Sequence, residues 1–266
     1  MPAAGMNRWA LRLRKWCLDG VSTEGDVCIG YQATLQLGPL NTGYRGLLLR
    51  NAQGQEQDRS AWGSGHAPSG DASSGWQWSE WMTGEWQPQI QGMTSVLWDG
   101  PGVHIQWNCL SPLCQTRVKS VCAGNPVDWL MQGYLECMDL SLASLSLPLR
   151  SLRWGRAIAA GHSVVWIDWD DGKTLTKVWL DGVATPARLE GEGPDRLLGS
   201  GWQLVLKPHA VLRHRELGNV LPDLIRDQFG VLANSHELKW LGRANIGGLD
   251  ADATDGWAIY ERVVWT

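Results

Sequence analysis

Residues 133–182 read GYLECMDLSLASLSLPLRSLRWGRAIAAGHSVVWIDWDDGKTLTKVWLDG. Side chains on a β-strand alternate between its two faces, so Tyr134, Glu136, Met138 and Leu140 share one face of the first strand-like run. That face is apolar apart from the Glu136 carboxyl. Two further strand-like runs follow, LRWGR at 152–156 and HSVVWIDW at 162–169. A carboxylate in an apolar face, next to Arg and Trp, is either a buried ion pair or an acid with a shifted pKa.

The same alternation continues outside this stretch and predicts an all-β protein. It is clearest in VCIGYQATLQL at 27–37 and in VHIQWNC at 103–109. Short strands recur at spacings of about 8–12 residues with turn residues between them, which is typical of sandwiches and barrels. One segment, 222–229, has helix signals: a first-turn proline, an apolar side and Gly230 as a stop. The sequence therefore predicts antiparallel β-structure with one short helix.

Composition excludes several classes of function. The net charge is −4 with a pI near 5.9, and no basic stripe exists, so we expect no nucleic-acid partner. No run reaches the ~18 apolar residues of a membrane span, and no secretory signal precedes the first strand. The six cysteines lack zinc-site spacing, so we expect no metal. Without a secretory signal or a membrane span, the sequence predicts a cytoplasmic protein with reduced thiols.

Tryptophan outnumbers phenylalanine by 18 to 1, which has two explanations. Indoles can occupy core positions that other aromatic residues usually fill, or they can form a stacking surface for a flat ligand. A cluster of four indoles also allows a carbohydrate-binding platform, formed by Trp76, Trp78, Trp81 and Trp86. An exposed, flat arrangement of these indoles would favour the carbohydrate alternative.

A second glutamate repeats the pattern of Glu136. In the final strand-like run, Trp257, Ile259, Glu261 and Val263 share a face with a single carboxyl. Desolvation raises the pKa of such a carboxyl and makes it a proton donor near neutrality. The alternative is that each glutamate pairs with an arginine, the candidates being Arg153, Arg156, Arg243 and Arg262.

Asp168 is a third candidate carboxyl. It either faces a ligand or opens the turn at 170–172. It lies about 20 Å from His162 along the strand, too far for a catalytic pair. No serine-hydrolase, phosphate-binding, zinc-protease or dinucleotide motif is present, so the sequence gives no support for those reactions and implies no cofactor.

The runs GYLECMDLSL, LPLRSLRWGRAIAAGHSVVWIDW and GWAIYERVVW resemble the lipocalin-like, two-barrel proteins grouped around carotenoid 1,2-hydratase (hydroxyneurosporene synthase) and its uncharacterised relatives. The opening DGVSTEGDVCIGYQATLQLGPLNTGYRGLLL is similar to the first strands of that group. The resemblance implies two tandem lipocalin-like (calycin) barrels. With the turn residues Gly124–Pro126 as a linker, the expected domains are residues 1–130 and 131–266.

The resemblance also implies a cofactor-independent hydratase, cyclase or isomerase that acts by acid catalysis on a hydrophobic small molecule, such as a polyene, an isoprenoid or an aromatic natural product. Glu136 or Glu261, with Asp168, would be the catalytic carboxyls. Arg153 or Arg156 would hold a polar end of the substrate. The remaining expected pocket residues are aromatic: Tyr134, Trp154, Trp166 and Trp257. The alternative function is a non-catalytic carrier of a pigment or lipid.

Overall fold

The computed structural model of the protein describes residues 10–63, 69–71, 75–143, 149–159, 161–191, 196–220, 234–248 and 254–265. Among these residues, the predicted all-β architecture is confirmed, and the only helical element is a single 3₁₀ turn, Leu217–Val220. The predicted helix at 222–229 lies outside the described residues. None of the described elements is a helix with the length and apolar character needed to cross a membrane.

The chain divides into two compact units, Met1–Ser146 (unit 1) and Leu147–Thr266 (unit 2). Both are antiparallel sheets. The ten strands of unit 1 are β1 (Leu11–Val21), β2 (Val27–Leu37), β3 (Leu40–Arg50), β4 (Glu56–Gly63), β5 (Ser69–Asp71), β6 (Gly75–Ser79), β7 (Met82–Pro88), β8 (Met93–Gly100), β9 (Val103–Cys122) and β10 (Asn125–Leu142). They follow the order β4-β3-β2-β1-β10-β9-β7-β6-β5, with β8 paired to β9.

Unit 2 has a similar arrangement in nine strands. They are β11 (Ser151–Ala159), β12 (His162–Asp170), β13 (Thr174–Leu180), β14 (Val183–Ala184), β15 (Ala187–Glu190), β16 (Arg196–Gly199), β17 (Gln203–Glu216), β18 (Ser235–Gly247) and β19 (Thr254–Trp265). Their order is β14-β13-β12-β11-β19-β18-β17-β16-β15. In each unit the last strand, β10 or β19, pairs with the first, β1 or β11. Most other neighbours in each sheet are consecutive strands joined as hairpins.

The boundary between the units differs from the expected one. Residues 124–126 are not a linker, because they belong to the hairpin between β9 and β10, where Ala123 and Gly124 adopt φ angles of 48° and 85°. This left-handed turn reverses the chain so that β10 pairs with β9. The other edge of β10 pairs with β1. A division near residue 130 would cut through β10. The division along the chain lies between residues 146 and 147 instead.

The sheet of unit 1 curls around a sulfur-rich core. The Sγ atom of Cys28 on β2 lies 3.3 Å from the Sδ atom of Met82 on β7, although three strands separate β2 from β7 in the sheet. Such a contact is possible only across the concave side. The same core cluster contains Leu18, Leu135 and Trp86, among others, so their face of β1 and β10 is the concave face.

The core of unit 2 joins strands from both ends of its strand order. One buried cluster includes Val164 of β12, Val178 of β13, Leu197 of β16 and Leu204 of β17. Since β13 and β16 lie near opposite ends of the order, the sheet wraps around this cluster. The predicted pair of curled, lipocalin-like antiparallel sheets is thus confirmed.

Indoles in both cores lie over glycines. A Cβ atom added to Gly155 would lie 2.2 Å from the ring of Trp166, and one added to Gly84 would lie 2.1 Å from the ring of Trp86. The same holds for Gly199 and Trp202. Because each of these indoles needs a nearby residue without a side chain, tryptophan in these cores is matched by glycine in the same strand, in a neighbouring one or across a turn.

Candidate functional site

The register of unit 1 places Glu136 among residues of three other strands. Glu136 lies opposite Cys17 on β1 and opposite Cys109 on β9. Directly opposed residues of neighbouring strands share a face. The polar and aromatic residues and the cysteines on this Glu136 face include Lys15, Cys17, Asp19, Tyr31, Trp107, Cys109 and Tyr134. It is the face opposite to the one that carries the core cluster of Leu18 and Leu135. Glu136 therefore does not point into the concave core, as an acid inside a barrel lumen would.

The Glu136 carboxyl is buried, with only 3% of the residue exposed. Its Oε2 atom accepts hydrogen bonds from Trp107 Nε1 at 2.6 Å and from the Tyr134 hydroxyl at 2.5 Å. Both donors bind the same oxygen, and neither binds Oε1. The pairing of β10 with β9 shifts register between Gly133 and Glu136, a bulge of the kind that re-aims side chains.

Burial raises the pKa of Glu136 from 4.5 to about 7. The positive charge of Lys15 and the two hydrogen bonds oppose this rise, whereas the negative charge of Asp19 adds to it. The Tyr134 pKa is raised well above its ordinary value, first by burial and then by the charge of Glu136. Tyr134 therefore stays protonated and donates, while Glu136 exchanges its proton close to neutral pH.

Glu261, the second predicted acid, lies in unit 2 and forms an ion pair with Lys239. Lys239 also lies 3.7 Å from Glu237, which Arg215 contacts at 2.6 Å. Burial alone would raise the pKa of Glu237, but Lys239, Arg215 and Arg213 together outweigh burial and lower it to about 2. The basic partner of Glu261 is therefore a lysine on β18, and none of the four arginines considered from the sequence takes that place.

Asp168 is buried in an ion pair with Arg153, with Oδ2 at 2.7 Å from the Arg153 Nη2 atom. Its Oδ1 atom accepts a hydrogen bond of 2.6 Å from the Thr176 hydroxyl, and Arg153 also donates to the Gly191 carbonyl. Asp168 does not open the following turn, which Asp170 forms by accepting from the Gly172 amide. These contacts tie Asp168 to Arg153 and Thr176 within the sheet.

The predicted aromatic and basic pocket residues of unit 2 lie on two opposite faces. Trp166 lies in the core over Gly155, and Arg153 shares its face. Trp154, Arg156 and Trp257 lie on the other face of the same strands. The Trp257 ring is covered by the Arg243 guanidinium at 3.6 Å and contacted edge-on by His209. The structure thus brings together Tyr134 and Glu136, and separately Arg153 and Asp168; a binding role for any of these residues stays a prediction.

The structure describes the side chains of only two of the four indoles in the proposed carbohydrate platform. The side chains of Trp76 and Trp78 lie outside the described residues. Trp86 is 2% exposed and packs over Gly84, and Trp81 is partly buried beside the Arg45 guanidinium. Since Trp86 has no open face, the described part of this group does not form a flat exposed surface.

Sequence reasoning missed the residues that other strands bring to Glu136. Lys15 and Asp19 come from β1, and Trp107 comes from β9. The sequence held a weak signal for this face, because β1 alternates in the same way as the Glu136 run. One face of β1 has the residues Leu11, Leu13, Lys15, Cys17 and Asp19. In the described part of the chain, no group of three or more His, Cys, Asp or Glu side chains could hold a metal ion.

No protein-family model and no curated protein matches the chain. Several solved structures share its fold, among them those of three proteins. A Nitrosomonas europaea protein described provisionally as AttH superposes with a TM-score of 0.56 at 11% identity, over 98% of this chain and 97% of that one. Kievitone hydratase from Nectria haematococca superposes with a TM-score of 0.50 at 9% identity, over 96% of this chain and 89% of that one.

The third structure is CghA, which gives a TM-score of 0.54 at 11% identity, over 97% of this chain and 89% of that one. The structure of CghA with Sch210972 superposes with a TM-score of 0.53 at 10% identity, over 97% of this chain and 89% of that one. These alignments run through both units of the chain. It therefore has the two-unit, lipocalin-like fold that kievitone hydratase, CghA and the AttH-type protein share, which is the architecture expected from its resemblance to the carotenoid hydratase group.

Proposed function

We propose that the protein is a cofactor-independent enzyme of the hydratase, cyclase or isomerase type that acts on a hydrophobic small molecule, with Glu136 as its general acid. The observation that carries the proposal is the buried Glu136 carboxyl, whose pKa of about 7 makes it a proton donor at neutral pH. The fold supports the same class of reaction, since one structure with this fold is a hydratase by name and another was solved with a bound small molecule.

The hydrogen bonds of Glu136 define which of its oxygens can donate. Oε2 accepts from both Tyr134 and Trp107, so the proton of the neutral acid resides on Oε1. Oε1 gives this proton to a carbon–carbon double bond or to a carbonyl oxygen of the substrate. The carboxylate that results is stabilised by the same two donors, because hydrogen bonds to a charged acceptor are stronger than those to a neutral one.

The catalytic cycle closes when Glu136 recovers a proton. In a hydration, the proton comes from the water that adds to the cationic carbon. In an isomerisation or cyclisation, it comes from a carbon of the substrate itself. Burial of the carboxyl keeps a substantial fraction of it protonated at neutral pH, since a low-dielectric site disfavours the charged form.

A matched pair of glutamine variants tests this function. Wild type, Glu136→Gln and Glu85→Gln are incubated with kievitone and with a panel of polyenes and prenylated phenols, and the products are analysed by chromatography and mass spectrometry. Glu85 is an exposed glutamate of the same sheet. We expect a product that has gained one water, or an isomer of unchanged mass, at a rate that Glu136→Gln lowers by at least about 100-fold and Glu85→Gln leaves unchanged.

Binding is measured in parallel, by tryptophan fluorescence. Turnover that persists in Glu136→Gln contradicts the role of Glu136. A bound ligand that wild type returns chemically unchanged supports the carrier function instead.

A further inference from the structure

Lys15 is a cation placed next to the proposed acid by the pairing of β1 with β10. Lys15 lies opposite Met138, and Glu136 lies opposite Cys17, two positions along. Lys15 and Glu136 are therefore diagonal neighbours on the same face, a relation that separates two positions by about 7–8 Å. Lys15 is only partly buried.

The Lys15 ammonium is held in place by an aromatic ring. Its Nζ atom lies 4.9 Å from the centre of the Tyr31 ring, and Tyr31 lies opposite Cys17 on β2, in the same cross-strand row as Glu136. A cation over an aromatic face is attracted by the ring and loses part of its hydration. The contact therefore fixes the ammonium beside the row that contains the acid.

Within the part of the chain that the structure describes, Lys15 forms no ion pair with a carboxylate. Asp19 shares the face of Lys15 but lies four residues further along β1, about 13 Å away at the rise of an extended strand. The residues directly opposite Lys15 on the adjacent strands, Ala33 and Met138, are apolar, and its neighbours along the same face of β1 are Leu13 and Cys17. An ammonium among apolar groups interacts more strongly with an anion than one in bulk water.

We infer that Lys15 binds an anionic oxygen of the substrate, and that the substrate class is an apolar molecule with a carboxylate, phenolate or enolate group near the bond that Glu136 protonates. The inference rests on the proposed function for the identity of this ligand as a substrate. The two side chains act in complementary ways, because a neutral acid and an ammonium can contact one anionic molecule without repulsion. Lys15 would also hold negative charge that develops on an enolate during proton transfer.

Two probes that differ in one charged group test this inference. The anionic probe is 1-anilinonaphthalene-8-sulfonate, and the neutral probe is N-phenyl-1-naphthylamine, which has the same rings without the sulfonate. Each is titrated by fluorescence into the full-length wild type, Lys15→Met, Lys15→Arg and Lys119→Met. Lys119 is an exposed lysine of the same sheet, so its variant removes the same charge from a different place.

We expect Lys15→Met to weaken the binding of the anionic probe by about tenfold while the Kd of the neutral probe changes less than about twofold. Lys15→Arg should retain most of the affinity, and Lys119→Met should bind both probes as wild type does. Unchanged binding of the neutral probe also shows that the variant is folded. An unchanged Kd for the anionic probe in Lys15→Met, or an equal loss for both probes, overturns the inference.

The Glu136→Gln variant separates this inference from the proposed function. If turnover survives in Glu136→Gln but the charge-dependent difference between the probes depends on Lys15, the assignment of Glu136 as the acid fails and the inference about Lys15 stands. If Glu136→Gln abolishes turnover and the two probes behave alike in Lys15→Met, the enzyme assignment stands and the inference about Lys15 is wrong.

Discussion

Replacing Glu136 by glutamine should make the protein more stable than wild type at alkaline pH. Glutamine has nearly the same shape, and its carbonyl oxygen can still accept from Tyr134 and Trp107. It differs in that it cannot ionise. The folded wild-type protein must hold a buried carboxylate at high pH, whereas the variant holds a neutral amide at every pH.

The magnitude follows from the pKa of Glu136, which rises from 4.5 to about 7 on folding. Each pH unit between these values is worth about 1.4 kcal/mol, so ionisation of Glu136 costs about 3 kcal/mol of folding free energy. Below pH 4.5 the carboxyl is neutral in both states and the cost is absent. Between pH 4.5 and 7 only the unfolded chain releases the proton, so wild-type stability falls as pH rises. Above pH 7 the full cost is present.

Urea unfolding of both proteins between pH 4 and 8.5 measures this difference. The charged and titratable neighbours of Glu136 are the same in both proteins, namely Lys15, Asp19, Cys109 and Tyr134, so their contributions largely cancel. We expect the unfolding free energy of Glu136→Gln minus that of wild type to increase by about 3 kcal/mol from pH 4 to pH 8. A difference that stays flat across this range would refute the assignment of a raised pKa to Glu136.

Two further variants test the packing and the charges of unit 2. Gly155→Ala should lower the unfolding free energy by about 1–3 kcal/mol or more, because its Cβ would lie 2.2 Å from the Trp166 ring. Gly63→Ala, which has no atom within 4 Å of its Cβ, is the control, and equal effects of the two in urea unfolding would contradict the packing argument. Lys239→Met should cost about 3–5 kcal/mol at pH 7, because it leaves the Glu261 carboxylate without its cation. Adding Glu261→Gln should recover part of that loss, and a double variant as unstable as the sum of both single variants would disprove the coupling.

Local patterns in the sequence predicted the strands well where alternation is unbroken. The strand predicted at 27–37 has those bounds in the structure. The strand at 103–122 is nearly three times as long as the predicted run 103–109, because the register shifts opposite Leu135 interrupt the alternation near Ser111. A bulge places two residues against one, so a pattern of period two cannot be followed across it.

The candidate site was only half visible in the sequence, because strand pairing is not a local property. That Tyr134 and Glu136 share a face follows from their spacing. That Lys15 and Trp107 join them depends on which strands flank β10, and no spacing along the chain encodes this. Both explanations of a glutamate in an apolar face occur: Glu136 is a buried carboxyl whose pKa is raised to about 7, and Glu261 is half of an ion pair.

The indoles that lie over glycines limit the order in which mutations can accumulate in the cores. A side chain added at Gly155 while Trp166 is present would overlap the indole and force a shift in the core. Loss of Trp166 first would open a cavity at a cost of about 3–5 kcal/mol, a large fraction of the stability of a typical domain. Either single step is strongly disfavoured, so the glycine and its tryptophan should be inherited together, and in homologous sequences the two positions should covary as a pair.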